Sequence, residues 1–358
     1  MITNIRFSYF FLLIVIICSA MYLTGCGNST GTESRNNSTE GTFRSLALEN
    51  REVYELRSYN GYLFAGTDRG LYRRKVSQNS WKSVGMTEAS IRTFVVFSKQ
   101  EILAPLNFGN GDSVTIGKTT DGGDSWIPFR NGFGGDLRVI PLTLAVHPDS
   151  PDILYARGFF NVAKSTNRGR SWESVFATWE TLGSAKFVTI DPNKPDIVWA
   201  GGATAIFAIN LLISADGGDN WKRLDKNVQK LENVFESTAN DLIIKPGNSS
   251  EVLLGMSDGI SRSKDMGESW ESVFSSAKVQ TLTRSKLNPQ TIFASGNNSQ
   301  GNLFFLITRD FGDTWQTIEM EDRPFGIQVN DVIAVENGDR EILYFATNKG
   351  VYSFAFGE

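Results

Sequence analysis

The chain has 358 residues, with 35 Lys and Arg against 39 Asp and Glu and a formal net charge of -4. So mild an acidity argues against nucleic acid or an anionic membrane surface as the main partner. Both cysteines, Cys18 and Cys26, fall in the N-terminal segment, and His147 is the single histidine. A disulfide framework or cysteine-based metal site is therefore excluded from the rest of the chain, a transition-metal site is disfavoured, and no metal or cofactor is expected.

Taken in order, the chain begins with an address rather than a fold. Arg6 precedes an apolar run, Phe7 to Met21, that is too short and too closely followed by polar residues to suit a stable membrane span. The next four residues, Leu23-Thr24-Gly25-Cys26, resemble the lipobox of bacterial lipoproteins. That resemblance implies a signal peptide over residues 1–25, cleavage before Cys26, and lipid on the Cys26 sulfur and amine. The protein is then expected in the cell envelope, held to a membrane by its lipid anchor only; Gly27 in place of Asp leaves transport to the outer membrane open. Residues 26–42 are almost entirely Gly, Ser, Thr, Asn and Glu, and bury too little apolar surface to order themselves, so they read as a flexible tether.

Residues 43–358 are organised by repetition. Trp81, Trp126, Trp172, Trp221, Trp270 and Trp315 recur at a spacing in the mid-forties, the period of a propeller blade made of short strands. Each unit supplies an alternating run such as FVTIDP or DLIIKP, then a compact apolar run such as DIVWAGG or EVLLGMS, then a hairpin. The Pro after the first run cannot join an interior ladder and marks a turn. His147, in HPDSPD, stands where Asp191 stands in DPNKPD, so it is expected to be a turn residue. The last unit, from VNDVIAVE to GVYSFAF, lacks a fourth strand, while Phe43 to Leu48 stands unused at the other end. That segment is expected to complete the final blade and close a single seven-bladed, all-β propeller of four-stranded antiparallel blades, leaving no bare sheet edge.

The hairpins share the pattern Ser/Thr-x-Asp-x-Gly-x-Ser/Thr-Trp. Its acceptor is Asp121, Asn167, Asp216, Asp265 or Asp310, and its tryptophan Trp126, Trp172, Trp221, Trp270 or Trp315. The Asp or Asn fixes the turn by accepting main-chain N–H bonds, the Gly supplies positive φ, and the Trp fastens the turn to its neighbour. Five copies in register resemble the Asp-box (BNR) repeat of sialidases, sortilin-type receptors, xyloglucan-hydrolysing glycosidases and the photosystem II assembly-factor group. In those families the box lies away from the active site, so these aspartates carry a structural role.

In a four-stranded meander, the second-to-third turns and the blade-to-blade connections share one face. Here they are long and aromatic, whereas the opposite face carries stereotyped turns, so this loop face is the expected binding surface. Its candidate residues are Phe133, Arg138, Arg157, Phe159, Trp179, Arg323 and Phe325. Aromatic planes beside guanidinium groups suit protein partners and sugars alike.

Enzymatic chemistry finds little footing. By resemblance, sialidases need an arginine cluster, a tyrosine nucleophile and an early Arg-Ile-Pro motif, which is missing here. Xyloglucan-hydrolysing enzymes use two carboxylates across a cleft and are usually built from two propellers, where this chain has residues for one. Asp112, Asp136, Glu180, Glu236 and Asp322 are loop carboxylates that could pair, but surface acids ordinarily only solvate, and no residue is assigned a catalytic role. The expectation is a monomeric, lipid-anchored propeller that acts as a non-catalytic protein-binding or assembly module. Its partner is an envelope protein or a glycan, and the alternative is a carbohydrate-active protein, either a glycan-binding module or a glycoside hydrolase.

Overall fold

Seven sheets follow one another along the chain, each a meander in which the alternating run comes first. In the computed structural model the described residues are 40–109, 114–129, 142–158, 161–177, 184–204, 208–231, 237–275, 277–298, 300–321 and 324–356. Cys26 and the segment read as signal and tether up to residue 39 lie outside them. Blade 1 comprises Val53–Tyr59, Tyr62–Thr67, Gly70–Lys75 and Lys82–Ser83. Blade 2 comprises Val95–Val96, Ile102–Asn107, Val114–Thr119 and Ile127–Phe129, and blade 3 Thr143–Val146, Leu154–Arg157, Asn161–Ser165 and Glu173–Ala177. Blade 4 follows with Ser184–Ile190, Val198–Ala203, Ile209–Ser214 and Lys222–Arg223. Blade 5 has Ala239–Lys245, Asn248–Met256, Gly259–Ser263 and Glu271–Ser275, and blade 6 Lys278–Arg284, Ile292–Asn297, Leu303–Thr308 and Gln316–Thr317.

Blade 7 takes three strands from the C-terminus, Val329–Asn337, Arg340–Thr347 and Gly350–Phe356, and its fourth from the N-terminal Glu40–Ala47. Phe43 sits opposite Phe354, stacks on Tyr352 at 4.8 Å between ring centroids, and meets Phe345 edge-on at 5.2 Å. The closing strand thus joins the ring as its sequence predicts, although it starts at Glu40 rather than Phe43. One strand was not foreseen: Glu319–Glu321 continues from blade 6 and pairs in parallel with Glu40–Thr42, covering the outer edge of the closing strand.

The core is divided in the same way. Seven clusters of buried apolar side chains each lie between two neighbouring blades. Trp199 of blade 4, for example, is fully buried in one cluster with Leu242 and Leu254 of blade 5. The five repeated hairpins reinforce these interfaces from outside. In each, the Ser or Thr hydroxyl accepts the Gly N–H (2.9 Å from Gly123 to Thr119, 2.8 Å from Gly169 to Ser165). The Asp or Asn oxygen accepts the N–H four residues ahead, at 3.0 Å in Asp121 and 2.8 Å in Asp216, a longer reach than the residue or two expected of an Asx turn. Gly169 takes φ +75°, and a Cβ there would lie 2.5 Å from Leu103 Cδ2 of the preceding blade. The indole of Trp126 donates to Val84 O in blade 1, whereas those of Trp172, Trp221 and Trp270 donate to the glycine carbonyl of their own turn.

His147 is a turn residue as expected. Its Nδ1 accepts the Asp149 N–H at 3.2 Å, as Asp191 Oδ1 accepts that of Asn193 at 2.7 Å.

Candidate functional site

The first strands of neighbouring blades pack on one another around a central axis, and they enclose a cavity of about 470 Å³ whose lining runs from Leu142 to Val146 in blade 3 and from Lys186 to Ile190 in blade 4. Tyr54, Lys186, Asn240, Gln280 and Asn330 of that lining lie near the starts of their strands, which follow the blade-to-blade connections of the loop face. A recurrent irregularity shapes it. Five of the seven first strands carry a register shift at the same place, between Val53 and Glu55, Ala185 and Phe187, Ala239 and Asp241, Val279 and Thr281, and Val329 and Asp331. A bulge of this kind kinks the strand and re-aims its side chains. Tyr54, Lys186, Asn240, Gln280 and Asn330 occupy the extra position and all line the cavity.

The residue after the bulge ties the ring together. Asp331 of blade 7 accepts the Leu56 N–H of blade 1 at 2.9 Å. Glu55 of blade 1 accepts the Phe94 N–H leading into blade 2 at 3.1 Å. Asp241 of blade 5 accepts the Leu282 N–H of blade 6 at 2.8 Å, and its second oxygen takes its own neighbour Leu242 at 2.8 Å. Amide side chains at the bulge run alongside: Asn330 Nδ2 donates to Val53 O and Asn240 Nδ2 to Val279 O. Arg57 pairs with Glu55 and donates to Leu144 O of blade 3 at 3.3 Å.

Burial raises the pKa of all three carboxyl groups. It carries Asp241 to about 7 and lifts Asp331 and Glu55 above the usual carboxylate range, with the charge of Asp331 adding to the shift of the other two. A buried, raised carboxyl in a cavity commonly marks a functional site. Glycoside hydrolysis, however, needs two carboxyls facing the substrate, and here each is engaged by a backbone N–H of the next blade.

Above this acidic girdle the rim is cationic. Arg92 lies over the Tyr54 ring at 4.8 Å. Burial pulls the Lys186 ammonium below the ordinary lysine range, and the like charges of Lys278 and Arg92 pull it further. Arg92, on the approach to blade 2, and Lys186 of blade 4 both line the cavity, and the charge of Lys278 in blade 6 reaches Lys186, a concentration of charge that long-range steering of an anionic or zwitterionic ligand would use. Among the described residues no group of three or more His, Cys, Asp or Glu side chains is arranged to hold a metal ion.

Of the loop-face candidates, Phe133, Arg138, Phe159, Trp179 and Arg323 lie outside the described residues, as do the loop acids Asp112, Asp136, Glu180, Glu236 and Asp322. Phe325 is 86% exposed, on the approach to blade 7. Arg157 is buried between blades 3 and 4 and donates to Asn210 Oδ1 at 2.7 Å. The sequence analysis missed Tyr54, Glu55, Arg92, Lys186, Asp241, Lys278 and Asp331. For Tyr54, Glu55, Asp241 and Asp331 the signal was there as a recurring four-residue pattern: Val53-Tyr54-Glu55-Leu56, Ala239-Asn240-Asp241-Leu242, Val279-Gln280-Thr281-Leu282 and Val329-Asn330-Asp331-Val332.

No family model matches the chain. An oligoxyloglucan-reducing end-specific xyloglucanase of Emericella nidulans is 28% identical over 172 residues, which make up 42% of this chain and 20% of that enzyme. The chain therefore spans far less than the whole of that relative. Among solved structures, YCF48 bound to D1 peptide superposes with a TM-score of 0.64 at 13% identity, over 89% of this chain and 97% of that one. The GH74 enzyme of Niastella koreensis gives a TM-score of 0.65 at 16% identity, over 87% of this chain and 53% of that one. At these identities the superpositions establish the shared propeller fold.

Proposed function

We propose that this protein is a non-catalytic binding module that takes a polypeptide segment of an envelope partner at the loop-face mouth of its central channel. The observation that carries this reading is the division of labour in the channel: Glu55, Asp241 and Asp331 are engaged in joining blades, which leaves Tyr54, Arg92 and Lys186 of the cavity lining to meet a ligand. The five repeated hairpins support membership of the Asp-box group, and a single-propeller neighbour solved with a bound peptide lends the reading further support. Leu23 to Cys26 supports a lipid anchor at Cys26; the anchor is tested by mass spectrometry of the mature N-terminus and its loss in Cys26→Ser.

The test of the binding reading is site-specific photo-crosslinking from position 92 in intact cells. Capture of a protein, lost on charge reversal by Lys186→Glu with Lys278→Glu while the melting temperature holds, is the expected result. Unchanged capture would place the interaction elsewhere.

A second reading has one observation in its favour, the local identity to a xyloglucanase. On that reading the mouth takes a glycan chain, either as a binding module or as a hydrolase. It predicts sugar binding or turnover that charge reversal at the rim abolishes.

A further inference from the structure

The ladder bonds of blades 3 and 4 fix which backbone groups face the channel. His147 N donates to Ile153 O, and Asp191 N to Ile197 O. Hydrogen-bonded and non-bonded pairs alternate along an antiparallel ladder. Leu144 and Val146 in blade 3, and Val188 and Ile190 in blade 4, therefore turn their N–H and C=O groups away from the second strand. Leu144 O accordingly accepts a hydrogen bond from Arg57 of blade 1. The first strand is the free edge of each of these sheets, so its outward groups look into the channel.

Leu56, Phe94, Leu242, Leu282 and Val332 hold the place of Leu144 and Val188 in the other five blades, and the N–H of each has an acceptor. Asp331, Glu55 and Asp241 of the preceding blade serve Leu56, Phe94 and Leu282. Where the preceding blade offers only Phe187 or Thr281, Asp241 and Asp331 serve their own neighbours, Leu242 and Val332. Thr93 and Thr143 stand at the two remaining joints, and there no acid takes the N–H of Leu144 or Val188 among the described residues. Only in blades 3 and 4 does the cavity lining run on through that place, along residues 144–146 and 188–190. Buried backbone donors are almost always paired. The ring of acids is thus interrupted where the cavity gives room for an acceptor from outside.

The charge at this gap is positive. Lys186, two residues before Val188, lines the same cavity and makes no hydrogen bond or ion pair among the described residues. Burial holds its ammonium below the ordinary lysine range, and Lys278 and Arg92 add to that shift with no acid opposing it. A carboxylate meets both demands, since its oxygens accept N–H bonds and its charge pairs with the ammonium. We infer that the channel wall at blades 3 and 4 is a carboxylate-binding site, in which an acid of the ligand accepts the Val188 N–H as Asp331 accepts that of Leu56, and pairs with Lys186. The inference rests on the reading of the channel as the ligand site and names the group that site recognises. That group is the C-terminal carboxylate of the bound polypeptide or one of its Asp or Glu side chains.

The test uses the full protein labelled with 15N-valine, in which the Val188 amide resonance is identified by its loss in Val188→Ile. The probes are N-acetyl-triglycine, whose only carboxylate is its C-terminus, and N-acetylglutamic acid α-amide, whose only carboxylate is its side chain. N-acetyl-triglycine amide serves as the blank. A carboxylate probe should shift the Val188 resonance saturably where the blank does not, and the tighter of the two names the source. Lys186→Met should weaken that binding about tenfold or more. Thr143→Asp supplies the missing acid from within, so in folded protein it should abolish the probe response and remove capture from position 92. A wild-type Val188 resonance that ignores both carboxylates would overturn the site even where crosslinking persists. Binding unchanged in Lys186→Met, or capture that survives in folded Thr143→Asp, would overturn it too. If Val188 answers the probes but no protein is captured in cells, the carboxylate site stands and the polypeptide reading fails.

Discussion

Asp331 in blade 7 accepts the backbone N–H of Leu56 in blade 1 at 2.9 Å, across 275 residues of sequence. Glu55, the residue before Leu56, repeats the same act toward blade 2. The inner ring is therefore joined by buried carboxylates as well as by apolar contact, and this has a consequence for pH.

Stability should decline from mild acid toward neutrality. Asp241 is raised from 3.8 to about 7 in the folded state, so between those values the native protein holds a proton that the unfolded chain has released. Its contribution to stability is fully present below the unfolded pKa and is lost as pH rises through the folded pKa. Asp331 and Glu55 shift in the same direction. Asp121, Asp216, Asp265 and Asp310 oppose them at the acid end: hydrogen bonds in their turns depress them, Asp216 to about 2, so their contribution is lost as pH falls through those lowered values. Melting temperature against pH should thus peak in mild acid, and Asp241→Asn should flatten the decline toward neutrality. A wild-type curve still rising between about pH 5 and pH 7 would show that burial does not raise these carboxyl groups in the folded state.

The hairpin glycine and tryptophan should each be costly to replace. Gly169→Ala combines φ +75° with a Cβ 2.5 Å from Leu103, and should lose about 2 kcal/mol or more. Trp172→Ala should lose about 3 to 5 kcal/mol. Urea unfolding measures both, and an unchanged midpoint in either variant would refute the structural role of the turn.

Ring closure should depend on Phe43. It is 3% exposed and packed between Tyr352 and Phe345, so Phe43→Ala should cost about 3 to 5 kcal/mol. Removal of Glu40–Ala47 should expose the edge of Gly350–Phe356 and yield aggregates. Size-exclusion chromatography reads the difference, and a folded monomer without the strand would contradict the closure.

Much of this architecture was legible in the sequence, because a propeller blade writes its period in residues that cannot easily be exchanged: the turn Gly, the Trp after it, and the alternating apolar run. Phe43 was legible as a closing residue since FRSLAL alternates and the last unit lacks a strand. The channel was not. Whether Asp241 faces a cavity or solvent is decided by a backbone bulge between Ala239 and Asp241, a property of strand pairing with the next chain segment rather than of local composition. Its repetition in blades 1, 4, 6 and 7 is visible only once the strands are stacked. Glu319–Glu321 escaped notice for a related reason: three polar and apolar residues carry no period, and the strand exists because Glu40–Thr42 lies beside it.

Glycan turnover by the wild-type protein tests the non-catalytic reading most directly, with sialosides, xyloglucan and other plant and bacterial polysaccharides as substrates and released products followed by mass spectrometry. With Glu55, Asp241 and Asp331 engaged by backbone N–H groups, no product should form on a folded sample that still crosslinks its partner from position 92. Release of defined sugars, abolished by Asp241→Asn or Asp331→Asn in protein that still folds, would contradict that assignment and make the channel carboxyls catalytic.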